Sequence, residues 1–187
     1  MRLFVALDFP DEVRNAIRDL IARLKPLARN ARWVRPEAMH ITLKFIGETD
    51  AAKVASIRAA LAPIHSPQSV DMHFRGVGFF PDERRPRVAW CGVEASANLA
   101  ELAAGVECAL ELLGISRESR AFVPHLTLAR FQSPGRLDEL IRAAKESATL
   151  EFGTAREMEF HLIESILKPS GAEYRRVATY AFVKENA

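Results

Sequence analysis

MHITLKFIGE at residues 39–48 and VPHLTLARF at residues 123–131 are the two stretches that decide the fold, because both contain the pattern His-x-Thr-Leu. The pattern begins at His40 in the first stretch and at His125 in the second. Successive side chains of a β-strand point to opposite faces, so each histidine shares a face with the threonine two residues later. Each stretch therefore predicts a strand with one polar face and one buried face.

An internal repeat surrounds these stretches. The two histidines are 85 residues apart, the difference between 125 and 40, and the same offset places the apolar run Leu3–Leu7 on Val88–Gly92. A repeat that aligns both core residues and a polar motif indicates two similar α/β lobes related by an approximate two-fold axis. We expect one bilobal domain over residues 1–187, in which 1–80 carry His40, 86–165 carry His125, and 175–183 form a C-terminal strand.

The spacing of apolar residues and the positions of Pro and Gly predict the individual elements. We expect strands at 3–7, 39–46, 70–80, 88–93, 123–131, 158–167 and 175–183, helices after Pro10, after Thr49 or Asp50, through 99–113 and through 137–141, and a turn at 168–171.

Composition and charge limit the class of protein. The 187 residues are 49% hydrophobic, which suffices for one continuous core, and a net charge of +2 does not indicate a partner. Two cysteines make no disulfide framework, and no stretch resembles a secretory signal or a membrane span. We therefore expect a cytoplasmic monomer without membrane association. A local cluster, Arg84, Arg85 and Arg87, suits either a polyanion or a solvated surface.

The paired motifs predict a phosphodiester site. If the two-fold axis brings the strands together, His40, His125, Thr42 and Thr127 surround one centre. Hydrolysis of a P–O bond needs one group that takes a proton from water and another that protonates the leaving oxygen. Imidazole does either near neutral pH, and threonine hydroxyls can donate to phosphate oxygens. This chemistry needs no metal and no cofactor, but the residues alone do not say which histidine is the acid.

Four further residues have two interpretations each. Arg130 lies five residues after His125, so it reaches phosphate only if a bulge changes the strand's alternation. Lys44 shares the face of His40 in an ideal strand but also suits a solvated strand end. Phe79 and Phe80 suit either base stacking or core packing.

The chain resembles the 2H phosphoesterase superfamily, and within it the RNA 2′,3′-cyclic phosphodiesterases, also called 2′-5′ RNA ligases. The resemblance covers most of the chain and is strongest in MRLFVALDFP, RWVRPEAMHITLKFIGE, GVGFFPDERRPRVAWCGVE and FVPHLTLARF. It implies an α+β fold in which antiparallel sheets line a central cleft with helices outside.

The resemblance also implies an activity and residue roles. The activity is metal-independent hydrolysis of a terminal 2′,3′-cyclic phosphate, on RNA ends or small cyclic nucleotides, to a 2′-phosphomonoester, with reversible 2′-5′ ligation as a second reaction in vitro. His40 would donate a proton to the leaving oxygen and His125 would accept one from water. Thr42, Thr127 and, by the family pattern, Arg130 would hold the phosphate.

Three alternatives remain open. RGVGFF at residues 75–80 approximates the RNP1 pattern of a non-catalytic RNA-binding module, although Val77 stands where a stacking aromatic residue belongs. A zinc hydrolase would need a third protein ligand, and the usual ligand spacings are missing from the sequence. An ATP-driven ligase would need a nucleotide-binding motif, which the sequence also lacks.

Overall fold

A computed structural model describes residues 1–132, 137–168 and 171–182. The α+β class is as predicted. The described residues form, in chain order, β1 Arg2–Leu7, α1 Asp11–Leu24, β2 Arg32–Trp33, β3 Ile41–Glu48, α2 Val54–Leu61, β4 Val70–Phe80, β5 Val88–Ala95, α3 Asn98–Glu111, β6 His125–Arg130, α4 Asp138–Glu146, β7 Glu151–Glu157, β8 Glu159–Lys168 and β9 Gly171–Ala181.

Two antiparallel sheets contain all of these strands. The first has the order β3-β1-β8-β9, and the second has the order β2-β6-β5-β4-β7. Strands β3, β1 and β8 correspond to β6, β5 and β4 under the 85-residue offset, so the two sheets repeat the same arrangement. This equivalence is the internal repeat expected from the sequence, now visible as a repeated strand order.

The sheets do not follow the two halves of the chain, because the last strand of each half lies in the sheet of the other half. Strand β4 pairs with β5 in the sheet of His125, and β8 pairs with β1 in the sheet of His40. A short connection from β4 to β5 favours an antiparallel hairpin, which draws β4 into the second sheet. The exchange joins the two lobes through the backbone as well as through the core.

Helices cover the outer faces of both sheets. Helices α2 and α3 pack together and α3 contacts β3, while α1 contacts β7 and α4 contacts β4. On α1 the buried side chains recur at helical spacing, namely Val13, Ile17, Leu20, Ile21 and Leu24. Each fully buried side chain of this size stabilises the fold by about 1.5 to 3 kcal/mol. One continuous apolar core extends under both sheets.

Two strands, β2 and β7, were not predicted from the sequence. Strand β2 has two residues, and β7 is an edge strand in which only Phe152 and Ala155 are buried, so neither has a clear alternating pattern. Residues 169–170 of the predicted turn and Val183 of the predicted last strand lie outside the described residues. Among the described helices, none has the length and apolar character needed to cross a membrane.

Candidate active site

His40 lies immediately before β3 in an aromatic environment. Its ring stacks on Phe4 with centroids 4.4 Å apart, and Tyr174 meets it edge-on at 5.2 Å. Burial disfavours the charged imidazolium and lowers the pKa of His40 to about 4, although the nearby Asp8 carboxylate and the Ala38 carbonyl oppose this shift. His40 is therefore neutral near pH 7 in the free protein.

His125 is the first residue of β6 and has the equivalent backbone partner. Its Nδ1–H donates to the carbonyl oxygen of Val123, two residues earlier, at 2.8 Å, and the ring of His40 likewise lies beside the carbonyl oxygen of Ala38, two residues before it. This bond fixes the tautomer that leaves Nε2 free for chemistry. Burial lowers the pKa of His125, and the positive charge of Arg130 lowers it further, against the effect of the Val123 carbonyl.

Thr42 and Thr127 occupy the predicted positions beside the histidines. Both are half-buried, and they pair across the strands with Ala6 and Trp90 respectively. Within the described part of the chain, neither hydroxyl has a protein hydrogen-bond partner. Both hydroxyls are thus available to a ligand on the face of the histidines.

A bulge interrupts each motif strand at the Leu that follows the Thr of the motif. In β3, Thr42 pairs with Ala6 and Lys44 with Val5, so Leu43 is the extra residue; in β6 the extra residue is Leu128. Each bulge reverses the alternation of the residues that follow. The 85-residue offset also relates the two bulges, so the repeat extends to the irregular backbone.

The first bulge makes the expected placement of Lys44 wrong. Lys44 is buried on the core side, where its Nζ donates to Glu107 at 2.7 Å and to the Ser116 carbonyl oxygen at 2.6 Å. Ideal alternation does not apply beyond Leu43, so Lys44 leaves the face of His40. Its charge is satisfied inside the fold rather than in the cleft.

The second bulge returns Arg130 to the face of His125. Arg130 is exposed and pairs across the strands with Val88, one alternation from the Trp90–Thr127 pair. The bulge that the sequence analysis required for a phosphate-binding role is thus present.

Two residues at this site were missed in the sequence. Phe45 is the repeat equivalent of Arg130, and its ring is 56% exposed and 6.1 Å from that of Phe4. Comparing the sixth position of both motifs, counted from the histidine, would have indicated it. Tyr174 lies on β9 outside any motif, so no sequence signal pointed to it.

Tyr174 lies near charged side chains from both sheets. Burial raises the pKa of its hydroxyl, while the charges of Arg2, Arg130 and Arg35 act in the opposite direction. Arg130 is on β6, whereas Tyr174 contacts the ring of His40. Strands β3 and β6 also run close together. These contacts place the two motif strands at the junction of the two sheets.

Phe79 and Phe80, the two predicted stacking residues, lie in different environments. Phe80 meets the His125 ring edge-on at 5.0 Å, so it lies at the site. Phe79 is 6% exposed and packs near Phe131, so the stacking prediction is wrong for Phe79, because alternation turns it into the core. Gly78 shares the face of Phe80, and a Cβ on Gly78 would lie 2.3 Å from the Trp90 ring. The RGVGFF segment therefore packs beneath Trp90 and offers one aromatic ring, which disfavours the RNP1 interpretation.

A charged network adjoins His40 in a pocket of about 190 Å³. Arg14 and Arg176 each donate to the Asp8 carboxylate at 2.7 Å. Burial alone would raise the pKa of Asp8, but the Phe9 backbone N–H and the two guanidinium groups outweigh it and hold the pKa below its usual value. Asp8 thus remains ionised beside His40.

The zinc alternative requires a cluster of metal-ligating side chains. Among the described residues, no three His, Cys, Asp or Glu side chains lie together as metal ligands would. Catalytic zinc usually has three protein ligands. The two histidines instead stand at the starts of separate strands, each beside a different backbone carbonyl.

Comparisons with known proteins agree with this geometry. The family described as LigT like Phosphoesterase matches residues 7–90 and again 92–174, two segments that begin 85 residues apart, as the motifs do. An RNA 2′,3′-cyclic phosphodiesterase of Archaeoglobus fulgidus is 34% identical over 96% of this chain and 99% of its own length. One of Thermus thermophilus is 37% identical over 93% and 86%.

Solved structures share the fold. A crystal structure of a Thermus thermophilus protein covers 100% of both chains with a TM-score of 0.82 at 29% identity. Escherichia coli LigT complexed with 3′-AMP covers 98% of both chains with a TM-score of 0.78 at 24% identity. The repeat, the paired motifs and these matches together show that the chain belongs to the LigT-like phosphoesterase family.

Proposed function

We propose that this protein hydrolyses the terminal 2′,3′-cyclic phosphate of RNA to a 2′-phosphomonoester, with His40 and His125 as an acid–base pair. The observation that carries the proposal is the duplicated His-x-Thr unit, in which each histidine ring lies beside the backbone carbonyl two residues earlier. The relatives named RNA 2′,3′-cyclic phosphodiesterase support the substrate. A short oligonucleotide, a tRNA fragment or a small cyclic nucleotide presents the same reacting group.

Phosphate binding is the first task of the site. The Thr42 and Thr127 hydroxyls donate to non-bridging oxygens, and the Arg130 guanidinium adds positive charge from the second sheet. Donors held in place before the reaction stabilise charge that develops on phosphorus without further reorganisation. The exposed ring of Phe45, beside Phe4 and His40, offers a surface on which a nucleobase can stack.

Proton transfer is the second task. His125 takes a proton from water as its oxygen bonds to phosphorus, and His40 gives a proton to O3′ as the P–O3′ bond breaks. The product keeps the phosphate on O2′, and the two histidines exchange protonation states. Proton return through solvent restores the starting pair.

Neighbouring charges support this assignment of roles. Asp8 favours a proton on His40, whereas Arg130 disfavours one on His125. Burial keeps both rings mostly neutral in the free protein, but a bound cyclic phosphate brings a negative charge that favours imidazolium. Burial acts in the opposite direction, because it lowers the pKa of His40 to about 4, so the assignment of His40 as the acid rests on the family resemblance and on these neighbouring charges. A 5′-hydroxyl in place of water would join two RNA ends through a 2′-5′ linkage by the same steps.

Product analysis tests the proposal. An RNA oligonucleotide ending in a 2′,3′-cyclic phosphate is incubated with the protein in excess chelator, and phosphorus NMR identifies the product. We expect a 2′-phosphate and undiminished turnover in chelator. A 3′-phosphate product, or no turnover, would contradict the proposal. The His40→Ala/His125→Ala double variant, purified in the same way, controls for contaminating nucleases.

A further inference from the structure

Two arginines face each other directly across strands β2 and β6. Arg32 pairs in register with Arg130, and both side chains are exposed. Directly opposed residues of an antiparallel pair share a face, with Cβ atoms about 4.5 to 5.5 Å apart, and like charges in this arrangement are destabilising. A local arrangement that costs stability often marks a functional surface.

No counter-charge compensates this pair within the described residues. Neither guanidinium forms an ion pair or a side-chain hydrogen bond in that part of the chain. Three other arginines near the site do have partners: Arg14 and Arg176 bind Asp8, and Arg35 donates to the Ala172 carbonyl oxygen. The Arg32–Arg130 pair therefore presents two unneutralised charges side by side.

The position of the pair indicates its ligand. Arg130 lies on the face of His125, close enough to influence its charge, and Arg32 stands one strand further out. A cyclic phosphate occupies the 3′ end of an RNA, so the only phosphates that continue from it lie on the 5′ side. An adjacent pair of guanidinium groups suits two successive phosphates of one strand.

We infer that Arg32 binds the first internucleotide phosphate on the 5′ side of the cyclic end, next to Arg130. The inference rests on the proposed function and narrows its substrate: Arg32 makes this site prefer an RNA chain over a cyclic mononucleotide. The shortest substrate that gains from it is a dinucleotide, because a mononucleotide has no second phosphate.

The test compares three substrates with the same terminal nucleotide: the 2′,3′-cyclic mononucleotide, the dinucleotide, and a dinucleotide with an uncharged methylphosphonate linkage. We expect Arg32→Gln to lower kcat/KM for the charged dinucleotide about tenfold at low salt, mainly through KM. For the other two substrates the loss should stay within about twofold, because they lack the charge that Arg32 contacts. Arg32→Lys should keep most of the preference at low salt.

Salt dependence gives a second readout. Each phosphate contact on a single strand contributes a slope of about −0.7 to log affinity against log salt. Arg32→Gln should therefore make the slope for the charged dinucleotide shallower by about 0.7. Arg29→Gln, an exposed arginine three residues earlier, removes the same charge and should leave both readouts unchanged.

Defined outcomes overturn the inference. Equal losses on all three substrates would show that Arg32 acts on the reacting group or on the fold. A larger loss in Arg84→Gln/Arg85→Gln than in Arg32→Gln would indicate that the RNA runs over the β4–β5 hairpin instead. If the wild-type protein hydrolyses none of the substrates, the proposed function itself fails.

Discussion

The two motif strands have the same backbone but different surroundings. His40 lies among aromatic rings next to an ionised Asp8, whereas His125 lies nearer solvent next to Arg130. The sixth position of each motif, counted from the histidine, is Phe45 in one strand and Arg130 in the other, and a bulge turns each toward the site face. The repeat thus supplies two equivalent imidazoles, and the residues around them make the two sides of the site different.

The largest expected effect falls on what the two sides share. His40→Ala and His125→Ala should each lower kcat about a hundredfold to ten-thousandfold, the usual contribution of a general acid or base. Steady-state kinetics with a 2′,3′-cyclic-phosphate oligonucleotide measure the loss, and circular dichroism confirms folding. A loss below tenfold in a folded variant would remove that histidine from the mechanism.

The threonines also test the equivalence of the two sides. Thr42→Val and Thr127→Val remove a hydroxyl but keep the shape, so each should cost about 1.5 to 3 kcal/mol in kcat/KM, roughly tenfold to a hundredfold. Similar losses support a phosphate held from both strands. If one variant keeps wild-type kinetics, that threonine is a packing residue.

The sixth positions, Phe45 and Arg130, should distinguish the two sides of the site. Arg130→Gln should lower kcat/KM about tenfold or more, with an effect that weakens at high salt, because the contact is between charges. Phe45→Ala should raise KM about fivefold or more for nucleotide substrates, since stacking on an aromatic ring contributes about 1 to 3 kcal/mol per base. A salt-dependent effect of Phe45→Ala, or a salt-independent one of Arg130→Gln, would reverse this division.

The smallest expected effect concerns pH. The pKa of His40 is about 4 and that of His125 lies below its usual 6.5, so kcat/KM should follow a bell with its optimum on the acid side of 6.5. Asp8→Asn removes a negative charge that favours imidazolium, so the pKa of His40 falls and the limb of the profile that reports His40 moves to lower pH. A pH series on wild type and variant measures this. A limb that stays in place, or moves to higher pH, would show that the charge of Asp8 does not raise the pKa of His40.

The lowered pKa of His40 also makes the stability of the fold depend on pH. The unfolded chain takes up a proton at His40 near pH 6.5, whereas the folded protein resists until about pH 4. This histidine therefore favours unfolding progressively as the pH falls through that interval, and its effect levels off below it. Denaturant titrations of wild type and His40→Ala across the interval would reveal the difference.

The sequence predicted much of this arrangement because the repeat makes one half a test of the other. An 85-residue offset that aligns His40 with His125 also aligns strands and helices, and the structure shows the same equivalence. The bulges at Leu43 and Leu128 could not be predicted, since no residue type marks them, and they decide the different fates of Lys44 and Arg130. Tyr174 could not be predicted as a site residue, because only the pairing of β8 with β9 brings it next to His40.

One measurement tests the central claim most directly, namely that both imidazoles act on one phosphorus atom. The activity of the His40→Ala/His125→Ala double variant is compared with that of each single variant. Groups that act together in one step give strongly non-additive losses. We predict a double variant within about tenfold of the weaker single variant. Losses that multiply in full would mean that the two histidines act independently, and would contradict the account.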